Sequence, residues 1–435
     1  MSMLVLVGLA ATAHGRGPGI RNGDVVFHPR FVVAGGYDSN FFRDSANDAT
    51  SPVNPVTLLR LGGGLNVTNR NPNRAMVKLD LESRFRYVTA SNADETASPL
   101  DEDFALDTVR SKLHLSLLPK NPVTFDLRGR MRYTERPAIE TVATDGFNRL
   151  SYELGPDVLF RPGGRALEFR VGYRYGADLN LTEDPSLGAR RGDKDTHKLG
   201  LVSHWKFFPK TALLLDVSYW FVNYRQSNDA SQADVGQTIE SPVMDARPFR
   251  AELGVKGLIT QRFALTLRGG YSLSSNQQGA SYAGPIGRVD VDYRFEPRVE
   301  LGTGYRLKLG NDGFSNYYVL HRGFAKATVN LPGHVALTGR GGFDYYDYAT
   351  DGAPEWTKTL PNGGKRTEPI IRAEAGVSWN MTQWLKLSID WEFENNRSGF
   401  YYCLGNDPGS VCTAGSEDRT AYIRHVVMLG LYGEY

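Results

Sequence analysis

The chain has 435 residues and sets 50 lysines and arginines against 48 aspartates and glutamates, a formal charge of +2. So close a balance excludes the basic footprint that a nucleic-acid partner requires, and the length suits either two or three soluble domains or one large barrel. The only sustained apolar run, Met3–Ala13, is about half the roughly 20 residues that a membrane helix needs, which excludes a helical span.

That run ends in Ala11-Thr12-Ala13, a small-x-small pattern. It reads as the apolar core of a secretory signal peptide over residues 1–13, without the basic segment that ordinarily precedes one. Residues 14–28 are then expected to form a periplasmic lead-in, and residues 29–435 a single membrane domain.

From there one pattern recurs, with period two. In "AMVKLDLESRFRY" the residues Ala75, Val77, Leu79, Leu81, Phe85 and Tyr87 share one face, and Lys78, Asp80, Glu82, Arg84 and Arg86 share the other. "VTFDLRGRMRY" (123–133) repeats it, as do "ALEFRVGYRY", "RVDVDYRFE", "RVELGTGYRLKL" and "LKLSIDWEFE". Alternation of this kind predicts strands with one apolar and one polar face. At about ten residues or more they suit a tilted membrane strand better than the shorter strands of a soluble sandwich.

The connections alternate too. Short ones lie at 69–74, 119–122, 161–165, 208–210, 260–262, 296–298, 331–334 and 381–384, with longer polar stretches such as 91–103, 179–195, 225–243 and 348–367 between them. About eight short turns and nine long loops predict an all-β fold: one transmembrane antiparallel β-barrel of about 18 strands, with short periplasmic turns and long extracellular loops. Aromatic residues fall into two bands, Tyr37, Tyr87, Tyr133, Tyr175, Tyr219, Tyr271 and Tyr345 near the long loops, and Phe125, Phe160, Phe207, Phe263, Phe295 and Trp384 near the short turns. These are the expected interfacial girdles. Lipids of the outer membrane are therefore the first expected partner.

On the polar faces, Arg84, Arg86, Arg110, Lys112, Arg130, Arg132 and Arg174 would line one side of a lumen. Asp344, Glu374, Asp390, Glu392 and Glu394 would line the side roughly across it. Opposed walls of this kind would set up a transverse field that favours charged and dipolar solutes; the alternative is mutual neutralisation in salt-bridge ladders. Trp220, Tyr346 and Tyr348 would project inward near the long-loop end, where sugars could stack on them.

Cys403 and Cys412 flank a turn-rich segment and read as a disulfide staple, since no further cysteine and no nearby histidine completes a metal set. The last strand runs to Tyr435, with Val427, Leu429, Leu431, Gly433 and Tyr435 on one face. Tyr435 is thus expected to be the terminal rung of the closing strand, and this aromatic end resembles the C-terminal assembly signal of bacterial outer-membrane barrels.

The segment "AGGYDSNFFRD" (34–44), with Tyr37-Asp38-Ser39-Asn40 ahead of aromatics, resembles the opening of the beta-barrel porin 2 family of outer-membrane barrels. That resemblance implies a conduit for exopolysaccharide secretion that works with periplasmic polysaccharide-export and copolymerase proteins. It supplies no catalytic residues. A passive general porin for small hydrophilic solutes is the alternative, and an outer-membrane enzyme or adhesin the third class.

Enzyme signatures are weak. "NGGKRT" (362–367) ends like a phosphate-binding loop, but Thr359 stands where the first glycine belongs. His114, His204 and His321 are isolated, the acidic stretch "DETASPLDED" (94–103) reads as a solvated loop, and no cofactor motif occurs. The sequence reading assigns no catalytic or metal-binding residue.

Overall fold

The computed structural model of the protein describes residues 17–41, 55–69, 73–90, 104–135, 148–162, 166–181, 193–225, 245–276, 281–295, 298–312, 316–349, 366–399, 401–403, 417–419 and 421–435. A three-residue strand β1 (Ile20–Asn22) precedes the first long strands, β2 (Val25–Asp38), β3 (Val56–Asn69), β4 (Ala75–Ala90), β5 (Phe104–Leu117), β6 (Val123–Thr134), β7 (Arg149–Phe160) and β8 (Leu167–Asn180). Then follow β9 (Lys194–Phe208), β10 (Thr211–Tyr224), β11 (Ala246–Leu258), β12 (Phe263–Asn276), β13 (Tyr282–Phe295), β14 (Val299–Asp312), β15 (Asn316–Leu331), β16 (Val335–Tyr348), β17 (Thr367–Asn380) and β18 (Leu385–Asn396). A small hairpin of β19 (Tyr401–Cys403) and β20 (Glu417–Arg419) precedes the last long strand, β21 (Tyr422–Glu434).

Each long strand pairs antiparallel with the next, and β21 pairs with both β18 and β2, which closes an 18-stranded barrel. The first long strand, β2, begins at Val25, so residues 25–28, expected as lead-in, already belong to the wall. β1 folds back on them, with Ile20 opposite Phe27. Its start is fixed by partners: the β3 end supplies a full ladder, Val25 opposite Asn69.

The outer surface follows from the alternation. Leu59, Leu61, Phe85, Tyr87, Leu253, Leu267, Leu301, Val377, Ile389 and Leu429 all point outward and stay exposed. An apolar belt so large has no place in water, and a closed barrel satisfies every backbone group within the wall. A closed, even-stranded antiparallel barrel with an apolar outer belt is the architecture of bacterial outer-membrane proteins. Strands of 12 to 16 residues exceed the roughly 9–11 needed to cross hydrocarbon, so the wall stands proud of it.

The short turns lie at one end, as expected. At the other end the expectation of nine long loops needs correction: the connections after β12 and β14 span only 277–281 and 313–315. "NQQGAS" and "NDGFSN" carry the small and polar residues that turn chemistry requires, and their neighbours' length hid that.

Closure is reinforced at both ends of the β2–β21 seam. Arg424 sends Nε to both carboxylate oxygens of Asp38, at 2.9 and 3.0 Å, and Nη2 to the second of them. Asp38 Oδ1 also accepts from the Asn40 amide at 3.1 Å, the Asn40 side chain donates to the Ile423 carbonyl, and Ser39 and His425 exchange two further bonds. At the turn end, Tyr435 N donates to the Pro29 carbonyl at 3.1 Å, and the ring Nδ1 of buried His28 lies 2.9 Å from the main-chain oxygen of Tyr435. Two residues from Asp38, Gly36 lets the strands meet: a Cβ there would stand 2.1 Å from the Val427 carbonyl oxygen and 2.3 Å from Met428 Sδ.

Asp38 is fully buried and Arg424 nearly so. Removing one partner of such a pair strands the other charge, at a cost of about 3–5 kcal/mol. Asp38→Asn is therefore expected to lower the temperature at which the barrel loses its compact electrophoretic mobility, and Arg424→Leu together with Asp38→Leu to recover part of that loss.

Candidate functional site: the charged lumen

Residues directly opposite one another in an antiparallel pair share a face, so the exposed apolar residues of the belt locate the inward set unambiguously. Arg84 and Arg86 on β4, Arg110 and Lys112 on β5, Arg130 and Arg132 on β6 and Arg174 on β8 all point into the barrel. Arg110 stands opposite Arg132, and Lys112 opposite Arg130. Such stacking of like charge is tolerable because carboxylates intervene from the adjoining strands. Arg84 pairs with Glu82 at 2.5 Å, Arg130 with Glu153 at 2.5 Å, and Arg174 with Asp157 at 2.5 Å and Glu153 at 3.7 Å. Arg86 is buried and reaches Glu135 at 2.7 Å and Asp107 at 3.8 Å. Asp107 owes its position to a bulge: the β4–β5 register slips between Arg84 and Phe85, where the extra residue turns its carboxylate toward Arg86 and Arg60.

Asp344 on β16, Glu374 on β17 and Asp390, Glu392 and Glu394 on β18 also point inward. They do not form a wall of one sign. Arginines are threaded among them: Arg322 clamps Asp344 with two bonds of 2.6 Å, and Arg372 reaches both Asp344 and Glu394, the latter at 3.0 Å. Around the 18-strand ring the two groups do stand roughly opposed: β17 is seven strands from β6 through the seam and nine, a full half-turn, from β8, although β18 is only four from β4. Sign alternates because inward side chains on adjacent strands stand one strand spacing apart, where unlike charges attract and like charges repel.

A row that the sequence reading missed lies on the remaining arc. Arg268 stands opposite Arg288, Arg288 opposite Arg306, and Arg306 opposite Arg322, so four neighbouring strands carry arginine at one level. Asp290 lies within reach of two of them, of Arg288 by a short bond and of Arg306 at 3.5 Å. "RVDVDYRFE" and "RVELGTGYRLKL" show these arginines on a polar face, but their alignment depends on the register between strands, which no single segment encodes.

The aromatic residues expected to offer stacking faces do point inward, but two of them are covered. Tyr318, Leu320, Tyr346, Tyr348 and Ile370 form a buried cluster. Tyr346 and Tyr348 stack with centroids 6.2 Å apart, Arg366 covers the Tyr348 ring at 3.9 Å, and the Tyr348 hydroxyl donates to Glu368 at 3.1 Å. Both rings are thus unavailable to a sugar in this structure. Trp220 is half-buried, with the Lys198 ammonium 4.8 Å from its ring. Elsewhere at the long-loop mouth the inward face is likewise apolar: Val56, Leu58, Val88 and Val426 pack with Phe41, over which Arg86 lies at 5.1 Å, and Val222 packs with Tyr224 and Ala246. "SYWFVNY" and "YYVLHR" signal this in the sequence, because alternation fails there and both faces are apolar.

His114 and His204 face the lumen, His114 with Asp126 at 3.5 Å. His321 faces outward, between Tyr305 at 2.7 Å from its Nδ1 and Tyr345. Cys412 and the side chain of Cys403 lie outside the described residues. Among the described residues, no group of three or more histidine, cysteine or carboxylate side chains is placed to hold a metal ion.

No protein-family model matches the chain, so the resemblance at 34–44 stays with those residues. No curated protein matches it either. Among solved structures, the chain is similar to OpdK of Pseudomonas aeruginosa, solved with vanillate, at 13% identity and a TM-score of 0.49 over 94% of this chain and 99% of that one. It is similar to OccAB4 of Acinetobacter baumannii at 11% identity and 0.48, over 94% and 98%, and to the siderophore receptor PirA of the same organism at 7% and 0.48, over 96% and 81%. These values describe a common barrel outline and nothing about what passes through it.

Since Tyr346 is buried among Tyr318, Leu320 and Tyr348, its truncation should act on the wall and not on a sugar. Tyr346→Ala is expected to destabilise the barrel by about 3 kcal/mol, in the range of large aromatic truncations, and to leave oligosaccharide affinity unchanged. Thermal unfolding and a sugar titration on the same preparation check the two halves.

Proposed function

We propose that the protein is a porin-like channel of a bacterial outer membrane that passes small hydrophilic solutes, without enzymatic chemistry. One observation carries this reading. Charged side chains of both signs project inward around the whole ring, and several remain open to water: Lys326 and Asp292 are 54% and 56% exposed although paired at 2.9 Å, and Arg288 is 42% exposed. A surface of that kind inside an apolar belt has no role in packing, and barrels of about 16–18 strands are wide enough to hold water. The alternating signs suit solutes that carry charge or strong dipoles and exclude apolar ones.

The arginine row on β12–β15 tips the balance toward anions on its own arc. Arg288 and Arg306 share the single carboxylate of Asp290, which leaves net positive charge there.

Export of an exopolysaccharide in concert with periplasmic export and copolymerase proteins draws less support. A polymer slides past many weak contacts, of which aromatic faces are the natural kind, and the tyrosines in place for it are buried. Deleting the protein and assaying surface polysaccharide would test that reading directly.

Purified protein in a planar bilayer is expected to conduct in potassium chloride. Replacing Arg288 and Arg306 by glutamine should lower the chloride-to-potassium permeability ratio, seen as a reversal potential displaced by several millivolts toward cations in a salt gradient, with barrel yield unchanged. An absence of conductance, or a displacement toward anions, would refute the channel reading or its electrostatics respectively.

A further inference from the structure

A recess opens on the lumen between β15 and β21, lined among others by Phe324, Arg340, Gly342, Glu374 and Glu392. Its upper rim is neutralised within the protein, by Arg322 and Arg372 on Asp344, Arg372 on Glu394, and Arg424 on Asp38. The row beneath is not. Lys326, Arg340, Glu374 and Glu392 stand directly opposite one another on β15, β16, β17 and β18. Lys326 is paired with Asp292. Among the described residues, Arg340, Glu374 and Glu392 make no ion pair.

Two features keep these three charges apart. Arg340 lies over Phe324, 5.7 Å from its ring, with Arg306 over the same ring at 5.4 Å. Phe324 leans into the space left by Gly304, where a Cβ would stand 2.7 Å from the ring edge, and Gly342 places no side chain between Phe324 and Arg372. Glu374 and Glu392 meanwhile face each other as like charges across one strand spacing, a repulsion that the guanidiniums lining the recess offset in part and that a cation between the two carboxylates would relieve further.

We propose that this recess binds small zwitterions, the carboxylate on Arg340 and the ammonium between Glu374 and Glu392. The arrangement rests on the channel reading and names a solute class for it. Neighbouring strands stand about 4.8 Å apart. The ammonium position, midway between β17 and β18, is therefore about 7 Å from β16, and farther from the Arg340 guanidinium, which lies toward Phe324 on β15, so the span calls for an ω-amino acid of at least four or five methylenes. The methylenes would run beneath Gly342 and past Phe324. Arg340 meets a carboxylate with paired donors, and the two glutamates supply acceptors to the ammonium, so each end gains charge-assisted hydrogen bonds.

The test uses the whole barrel in detergent and three probes of matched length: 5-aminopentanoate, pentylamine and pentanoate, titrated calorimetrically, with current block measured in parallel in a planar bilayer. The zwitterion is expected to bind saturably and about tenfold or more tighter than either single-charge probe, each missing contact being a hydrogen bond to a charged group. Arg340→Gln should reduce the zwitterion to the affinity of pentylamine, and Glu374→Gln with Glu392→Gln to that of pentanoate. Equal affinity for pentylamine and the zwitterion, or no saturable binding of any probe to a barrel that conducts normally, would overturn the proposal and leave the channel reading intact. Binding without conductance would do the reverse. The comparison of probes on the unaltered protein decides the matter even if a variant fails to fold.

Discussion

Everything in this molecule depends on the pairing of its first long strand with its last. An open sheet of this size would leave two edges of unpaired amides and carbonyls in hydrocarbon, each costing several kcal/mol. The β2–β21 ladder removes both. It is also the pairing with the largest separation in sequence, Arg30 opposite Glu434, so it is the contact whose loop-closure entropy is greatest. The structure concentrates directional bonds there: a multiply bonded Asp38–Arg424 pair, the Asn40 anchor to Ile423, and a glycine where the backbones come closest. The stretch that looks like a family signature, Tyr37-Asp38-Ser39-Asn40, is in physical terms the outer fastening of that seam.

Once the wall is closed, its inner face poses a different problem. The inward positions cannot all be apolar without filling or collapsing the bore, and cannot all carry one sign without straining it apart. Lateral alternation solves this. From Arg322 through Asp344, Arg372 and Glu394, each charge is held by a neighbour of opposite sign on the next strand, so hydrogen bonds between side chains run around the ring as those of the backbone do. Where like charges stand opposite one another, Arg288 with Arg306 and Glu374 with Glu392, charge is left over for something that is not part of the wall.

How much of this a sequence discloses depends on the range of the interaction. The period of two in "AMVKLDLESRFRY" is local, and it gives strand, face and apolar belt at once. Turn positions are local as well, and their spacing gives the strand number. The ends of strands mislead, because Val56, Leu58, Tyr318 and Tyr346 turn inward into apolar clusters, where simple alternation would place polar side chains. The grouping of charges misleads more. Arg84 to Arg174 and Asp344 to Glu394 are clusters along the chain, but their neighbours in space come from adjacent strands, and a single bulge at Asp107 is enough to slip that alignment. Register is a relation between segments and is decided only when the sheet forms.

The two tight links at 277–281 and 313–315 give the barrel a lopsided brim. A strip of three residues reaches about 10 Å at full stretch and can do no more than join its own two strands, whereas links of a dozen residues or more can extend across the opening. Any canopy over the quadrant above β12–β15 must therefore be lent by chain rooted elsewhere on the circumference. Beneath that quadrant runs the row Arg268, Arg288, Arg306 and Arg322. The strip of lumen where Arg288 and Arg306 share one carboxylate is thus the one that its own strands cannot shade.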